Sequence, residues 1–593
     1  MGLLLTATTE RVWIDRMISK LMTPMLIIAA IIFMMMGYSI NSMFYGVGFL
    51  VALLTVFWVL RQQKIRYEQF IKNERNNWNT KKKRKYEYDV FASLDELNKI
   101  KDNRFRLDKQ TWNDLNMEDI FKSIDRTFTI PGQQYLYSTL RNICTDKEEL
   151  LIREKAITAL NENSSLREKV VEILANIGIE DGSFTTRLLF QSISFDEKYV
   201  LFLKLSRFAV PISLLIFLVD LPLGIVAFIV SMILNTKNYY DTKKHIGSYA
   251  DSMKYMSKVM TQCENLLRTD IELLNINKED TSLALRKTVS IKKRFDKLVF
   301  GNNQRGKMAE FSIFYDYINM IFLLEPIMFY DAMKYVEKHL DDMKTIYETI
   351  GRTDMLLSVA ALRTNLPVYT TPVFEKESAL EIKDAVYIIL NDPVANSIRV
   401  DKGNGVMITG SNMSGKSTFL RTVATSIILA QTISTVTASF YKAKMLVPLT
   451  SISISDSIES GESYYLAEVK SIKRIIDYSQ NNNSVIAFID EIFSGTNRIE
   501  RTAASIEILD YLKRNGITAF VATHDLEISR EISGYDKYYF KEEVSENDIN
   551  FDYHLYEGIS NTSNAIEILK LVGYPEEIYA AAKIKALDIA KSI

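Results

Sequence analysis

Cysteine is nearly absent from the 593-residue sequence: Cys144 and Cys263 stand far apart and no CxxC pair exists. A disulfide scaffold and a cysteine zinc site are thereby excluded, and a reducing, cytoplasmic setting suits the soluble part. Net charge is absent too, since 72 basic and 73 acidic side chains sum to -1. Spread evenly, that balance would exclude a nucleic-acid binder, but the charge is not spread evenly. Histidine is scarce, with four in the chain, so one in a chemical context stands out. Hydrophobic residues are plentiful. At 47% they exclude a wholly disordered chain, and the length suggests about four domains of roughly 150 residues each.

Charge is missing altogether from Leu21 to Leu60. That stretch is too long for one membrane span and about right for two. Gly37, Tyr38, Ser39, Asn41 and Ser42 interrupt it, which places spans near 22–40 and 44–60. It is also too long for a signal-peptide core. A second apolar block, Phe208 to Thr236, carries one charge, Asp220. It reads as a hairpin near 199–219 and 221–236 with Asp220 at the outer turn. Its arms are short, and Lys204 and Arg207 sit inside the first, so a re-entrant or interfacial hairpin stays open. Basic residues flank the hairpins and are missing from their turns: Arg11, Arg16 and Lys20 before the first, Arg61 to Lys85 after it, Lys237, Lys243 and Lys244 after the second. All flanks therefore face the cytoplasm. The expectation is a multi-pass protein of the inner (cytoplasmic) membrane. The Lys81–Lys85 run reads as a topology signal touching anionic lipid.

The densest chemistry follows Gly405–Thr409, a short apolar run of strand type. Gly410, Ser411, Asn412, Met413, Ser414, Gly415, Lys416, Ser417 and Thr418 spell GxxxxGKS and then T, ahead of a helical stretch. A glycine-rich loop between strand and helix lets backbone N–H groups close around phosphates. Lys416 would reach the β- and γ-phosphates, and the Ser417 hydroxyl would ligate Mg²⁺. The buried-strand run Val485–Ile489 ends in Asp490 and Glu491. Alone, that pair would read as a helix N-cap. About 70 residues after a phosphate loop, Asp490 reads as a Mg²⁺ ligand and Glu491 as the group that orients or deprotonates the attacking water. Ala519–Thr523 is another apolar strand, ending at His524, a candidate γ-phosphate switch. His245, His339 and His554 lack such a setting and read as solvated or packed.

These residues resemble the MutS family of ATPases, which belongs with the ABC-type ATPases. The resemblance rests on TGSNMSGKSTFLR at 409–421, DSIESGESYYLAEV at 456–469, FIDEIFSGTNRIE at 488–500 and ATHDLEI at 522–528, in that order. Looser similarity covers SIDRTFTIPGQQYLYSTLRN at 123–142, EELLIREKAITAL at 148–160, GRTDMLLSVA at 351–360 and the tail at 553–586. The resemblance implies ATP as nucleotide and a homodimer in which each site is completed by the partner's signature serine, matched here by Ser463. The segment Ser494-Gly495-Thr496-Asn497 would lie at the seam. The expected fold is an α/β P-loop ABC-type ATPase domain with all-α MutS-like core and lever helices and transmembrane α-helical hairpins. Expected boundaries are a first hairpin at 1–62, a basic linker at 63–95, a helical core at 96–198, the second hairpin at 199–237, a lever and core at 238–375, the ATPase domain at 376–550 and a dimerisation segment at 551–593.

The sequence also departs from that family. Membrane segments and basic linker stand where a mismatch-reading domain would precede the core. Phe195-Asp196-Glu197 and Phe540-Lys541-Glu542 match the family's Phe-x-Glu wedge by chance alone. The Arg-His-Pro that enters the family's ATPase domain is Val386-Tyr387-Ile388 here, with Tyr387 placed to pack near the base. In 238–350 two long helical stretches are expected around a break at Gly301-Asn302-Asn303 and Gly306. Arg286, Lys287, Lys292, Lys293, Arg294, Lys297, Arg305 and Lys307 cluster there against Asp296 alone. A DNA-phosphate contact is one reading. A solvated face or lipid-headgroup contact is favoured beside membrane helices.

The expectation is a membrane-anchored dimeric ATPase whose nucleotide cycle moves the helical arms against an unknown protein partner. A membrane-tethered DNA-binding protein of mismatch-repair or recombination type is the alternative. A transporter engine fits least, because the spans are short and show no polar pathway.

Overall fold

The computed structural model describes residues 28–82, 84, 86, 104–179, 185–190, 197–303, 317–376, 378–411, 413–453, 464–480, 484–493, 495–544, 549–559, 569 and 573–592. Two units are present, Met1–Trp78 and Asn79–Ile593.

In the first unit, helix Ile28–Ser39 turns into helix Met43–Asn76. The turn is fixed locally by the Asn41 side chain, which accepts a hydrogen bond from the Met43 amide at 3.0 Å. Gly48 permits close helix packing: a Cβ there would lie 3.3 Å from the Ala30 carbonyl oxygen. The second helix has 34 residues, roughly 51 Å, so it outruns a bilayer core of about 30 Å. The segment expected as linker from 63 is thus helical as far as Asn76. Three helices among the described residues are long and apolar enough to cross a membrane: Met43–Asn76, Glu197–Ile216 and Leu221–Lys243.

The second unit begins with helices whose junction explains two of the sequence segments above. Asp354, fully buried on helix Leu340–Arg363, accepts hydrogen bonds from the Phe128 amide and from the amide and hydroxyl of Thr129 (2.6–3.0 Å). Thr129 in turn caps helix Ile130–Arg141 through the Gly132 amide. A side chain at Gly132 would strike the Asp354 carboxylate, and one at Gly351 would meet the Pro131 carbonyl. Both positions need glycine for this close crossing. Beside it, Asp125 pairs with Arg84 at 3.0 Å, and Arg126 donates to the carbonyls of Asn79, Ser123 and Ile124.

A single helix, Leu221–Leu266, runs 46 residues from the second apolar hairpin into the core, roughly 69 Å. It packs on helices Ser164–Ile177, Lys278–Asn303 and Leu340–Arg363. The described helix ends at Asn303, inside the break expected at 301–306, and Gly306 lies outside the described residues. Helix Lys278–Asn303 continues through Gly301 to Asn303, and the chain reverses earlier, across 267–277, where Asn275 takes φ +50°. Packing of helix Leu221–Leu266 against helix Lys278–Asn303 holds this additional reversal. The basic cluster is also less free than its linear count. Lys287 pairs with Asp342 at 3.2 Å, Lys292 with Glu264 at 3.8 Å, and the Arg294 guanidinium sits 3.8 Å from the Tyr335 ring centre. The acids come from neighbouring helices, which reading along one segment cannot see. Arg305 and Lys307 lie outside the described residues.

The C-terminal α/β domain holds a six-stranded sheet in the order Ile549–Glu557, Tyr535–Val544, Gly405–Thr409, Thr518–Thr523, Val485–Asp490, Val447–Ser451. All neighbours are parallel except the edge pair of Ile549–Glu557 with Tyr535–Val544. The central strands are buried along nearly their whole length, as a parallel sheet covered on both faces requires. Because the edge strand runs to Glu557, the sheet passes the boundary expected at 550. A second, four-stranded sheet orders Val373–Phe374, Phe440–Ala443, Leu380–Ala385 and Asn396–Val400.

Candidate nucleotide-binding site

Parallel register brings the sequence-predicted groups together. Thr409 pairs with Thr523, and Asp490 with Ala522, so the loops after three adjacent strands open on one sheet edge. That edge is where open α/β sheets bind ligands. A cavity of about 770 Å³ lies there, within the usual size of a small-molecule site. It is lined by Met413, Gly415, Lys416, Ser417, Thr418, Asp490 and Glu491, and by Tyr387, Asn396, Arg421, Phe540 and Tyr553.

The loop has the backbone a phosphate cradle needs. Gly410 takes φ +148°, Met413 +75° and Gly415 +108°. A side chain at Gly410 would fill the cradle, its Cβ 2.9 Å from the Ser414 hydroxyl. That buried hydroxyl has no hydrogen-bond partner among the described residues. Lys416 Nζ donates to the Gly410 and Ser411 carbonyls at 2.8 and 2.7 Å, which holds the loop closed on the ammonium. Burial lowers the Lys416 pKa, opposed by Asp490, Glu491 and Glu542. Asn412, predicted for the same loop, lies outside the described residues.

The Ser417 hydroxyl hydrogen-bonds to Asp490, whose pKa burial raises against that bond. One hydroxyl and one carboxylate, with phosphate oxygens and water, form the sparse oxygen set on which Mg²⁺ is ordinarily held. No cluster of three acidic, histidine or cysteine side chains among the described residues offers a stronger metal site. The donor set therefore fits Mg²⁺ bound with a nucleotide. The ion would supply charge neutralisation of the phosphates, and Ser417 and Asp490 would hold it.

Glu491 adopts φ +57°, an outlier for a non-glycine residue. Its amide donates to the Ala522 carbonyl at 3.0 Å. His524 Nδ1 lies 2.9 Å from Glu491 Oε1. This hydrogen bond lowers the Glu491 pKa and raises that of His524, so the pair favours carboxylate beside imidazolium. His524 contacts Glu491 and does not line the cavity; expected as a phosphate switch, it stands behind the acid. Of the other histidines, His339 packs 3.2 Å from Asp342 and His554 is exposed.

Ser463 and Ser494, expected at a dimer seam, lie outside the described residues. Their segments do approach each other: the Gly495 amide donates to Glu468 at 3.3 Å.

Sequence reasoning left several cavity residues unassigned. Arg421, inside the quoted loop segment, donates through Nε to the Asp114 carbonyl at 2.7 Å. Asp114 is buried and accepts from Thr450, Ile452 and Ser453 at 2.7–3.2 Å. Tyr387 lines the cavity and donates to the Leu115 carbonyl at 3.1 Å. Two consecutive carbonyls of the helical region thus meet two cavity-lining side chains. Tyr553 packs against the loop: a Cβ at Gly415 would lie 3.3 Å from its ring. Asn396 ties that strand to the smaller sheet by bonding the Tyr553 carbonyl and the Leu555 amide. These contacts join segments up to hundreds of residues apart, and no local signal announces them.

The sheet, the loop and the acid pair define a P-loop nucleotide-binding domain. Residues 406–590 match the family model of MutS domain V. The chain is MutS-like. The DNA mismatch repair protein MutS of Acetivibrio thermocellus is 26% identical over 282 residues, 45% of this chain and 32% of that protein. MutS of Caldanaerobacter subterraneus is 29% identical over 285 residues, covering 46% and 32%. MutS of Finegoldia magna is 24% identical over 566 residues, covering 85% and 64%. The chain thus spans about a third of the length of the first of these relatives.

Proposed function

We propose that the protein is a membrane-anchored, dimeric MutS-like ATPase that binds and hydrolyses Mg-ATP to move its helical arms. The carrying observation is the convergence of Lys416, Ser417, Asp490 and Glu491 on one cavity, with His524 bonded to Glu491. Lys416 and the loop amides bind the phosphates. Ser417 and Asp490 hold the Mg²⁺. Glu491 orients the attacking water and accepts its proton, with His524 fixing the carboxylate. Ser463 of each subunit completes the other's site, a helix start being suited to a γ-phosphate. The bonds from Arg421 and Tyr387 to the Asp114 and Leu115 carbonyls support transmission from nucleotide to helices. The three long apolar helices support the anchor.

Replacing Glu491 with Gln should lower turnover by about 10²-fold or more while Mg-ATP still binds and traps the dimer. Unchanged turnover would remove the catalytic assignment. Mixing Ser463→Ala and Lys416→Ala chains should restore part of the activity if sites are shared. A second reading, DNA binding of mismatch-repair type, is favoured by the names of the relatives. The intramolecular pairing of the basic cluster weighs against it. Filter binding to homoduplex, mismatched and branched DNA separates the two, and salt-sensitive retention would favour the second.

A further inference from the structure

The second apolar hairpin has its aqueous boundary written into side-chain contacts. Within Glu197–Ile216 the helix breaks into Glu197–Ser206 and Ala209–Ile216. The lower piece carries two ion pairs to helix Leu324–Lys338: Lys204 with Asp331 at 2.7 Å and Glu197 with Lys334 at 3.2 Å. All four side chains remain 42–86% exposed. Partly exposed ions of this kind belong in water or among headgroups, not in hydrocarbon.

A third contact marks the level of the Lys204–Asp331 pair. The buried Asn235 amide, on the returning arm, donates to the Ser206 carbonyl at 3.2 Å and to the Ile321 carbonyl at 2.9 Å. One side chain thereby ties three chain segments where the first arm breaks. Beyond that level the two arms run on to their turn. From Arg207 to Val219 there are about 13 residues, and from Leu221 to Asn235 about 15, so each arm reaches roughly 20 Å. A hydrocarbon core is about 30 Å thick. At the tip Leu218 and Val219 are 83% and 90% exposed, and the exposed Asp220 is the one charge, capping the returning helix through the Leu223 amide; local thinning and water defects are what ease a carboxylate at such depth.

We infer that the hairpin 207–236 inserts into the hydrocarbon core from the ATPase side, passes its midplane and stops short of the opposite surface. Its partner is the acyl layer of a bilayer, with the Lys204–Asp331 and Glu197–Lys334 pairs at the headgroups. This rests on the membrane reading above and replaces two spans with a re-entrant wedge. The wedge continues directly into the 46-residue helix of the core, so a shift of the arm would change its depth.

The test uses the full chain in sealed vesicles of both orientations, with Val219→Cys, Leu218→Cys and Lys237→Cys. The wild type serves as blank, its two cysteines being buried. A membrane-impermeant maleimide should label Lys237→Cys from the ATPase side. It should label Val219→Cys and Leu218→Cys from neither side, at least tenfold less than in detergent. A spin label at Val219→Cys should meet oxygen and not an aqueous nickel chelate. Labelling at 218 or 219 from the side opposite 237 would mean a full crossing and overturn the inference. Labelling from the same side, in a chain that resists an alkaline wash, would overturn insertion while leaving the anchor intact. Release of the chain by that wash would overturn the membrane reading itself.

Discussion

Two acidic residues on two rigid elements show what separates a structural carboxylate from a chemical one. Asp354 is fully buried, takes three protein hydrogen bonds and holds a close helix crossing. Glu491 sits on a backbone of φ +57°, touches the cavity and is held by one histidine. Burial pushes the Asp354 carboxyl up to about 6, whereas the His524 hydrogen bond holds that of Glu491 below its ordinary range. Burial with three protein donors makes a clamp. Partial exposure with capacity to spare makes a site.

The sharpest break of this contrast is Asp354→Ala. It strands the Phe128 and Thr129 amides in the core and should cost about 3–5 kcal/mol, read from the denaturant midpoint of the detergent-solubilised chain. Nucleotide affinity of the surviving folded fraction should be unchanged. An effect below about 1 kcal/mol would mean that the crossing does not depend on the carboxylate.

Asp354 should also impose a pH slope. A carboxyl raised in the folded state binds more protons there than in the unfolded chain between about pH 4 and 6. Stability from this group therefore falls as pH rises through that window. Relative to Asp354→Asn, the wild type should lose roughly 3 kcal/mol from pH 4 to 7. A pH-independent difference between the two would contradict the assignment.

At the other acid the two partners carry opposite signs. His524 is raised by Glu491, so the pair's contribution is fully present below the ordinary histidine value and is lost as pH rises through the raised one. The Glu491 partner is depressed, and its share is lost as pH falls through the lowered value. An NMR titration of His524 should give a midpoint above about 6.5. Glu491→Gln should lower it, and a midpoint that stays put would dissolve the pair.

The smallest effect belongs to the exposed arm. Lys287→Ala breaks a partly exposed pair with Asp342 and should change stability by less than about 1 kcal/mol. A large loss of DNA retention in that variant would revive the nucleic-acid reading.

The phosphate loop, the Asp490–Glu491 strand end and His524 were legible because each combines an apolar strand with chemistry at its carboxyl end. The apolar hairpins were legible as runs without charge. The reversal at 267–277 was not, since it follows from two helices packing rather than from glycine content. The pairing of Lys287 and Lys292 was hidden for the same reason: their partners lie on other helices. Arg421 stood inside a quoted motif, yet its role depends on a carbonyl 307 positions away.

Sequence by itself determined the nucleotide chemistry, because backbone freedom at glycine, one lysine, one hydroxyl and two adjacent acids are properties of short segments. It also determined which segments are long and apolar enough to cross a membrane. Tertiary structure alone decided that His524 stands behind Glu491 and that Tyr387 and Arg421 lean on the helical region. It alone set polar contacts at one level across three segments of the second hairpin. Those outcomes depend on which distant groups share a low-dielectric contact, and the linear order of residues does not carry that information.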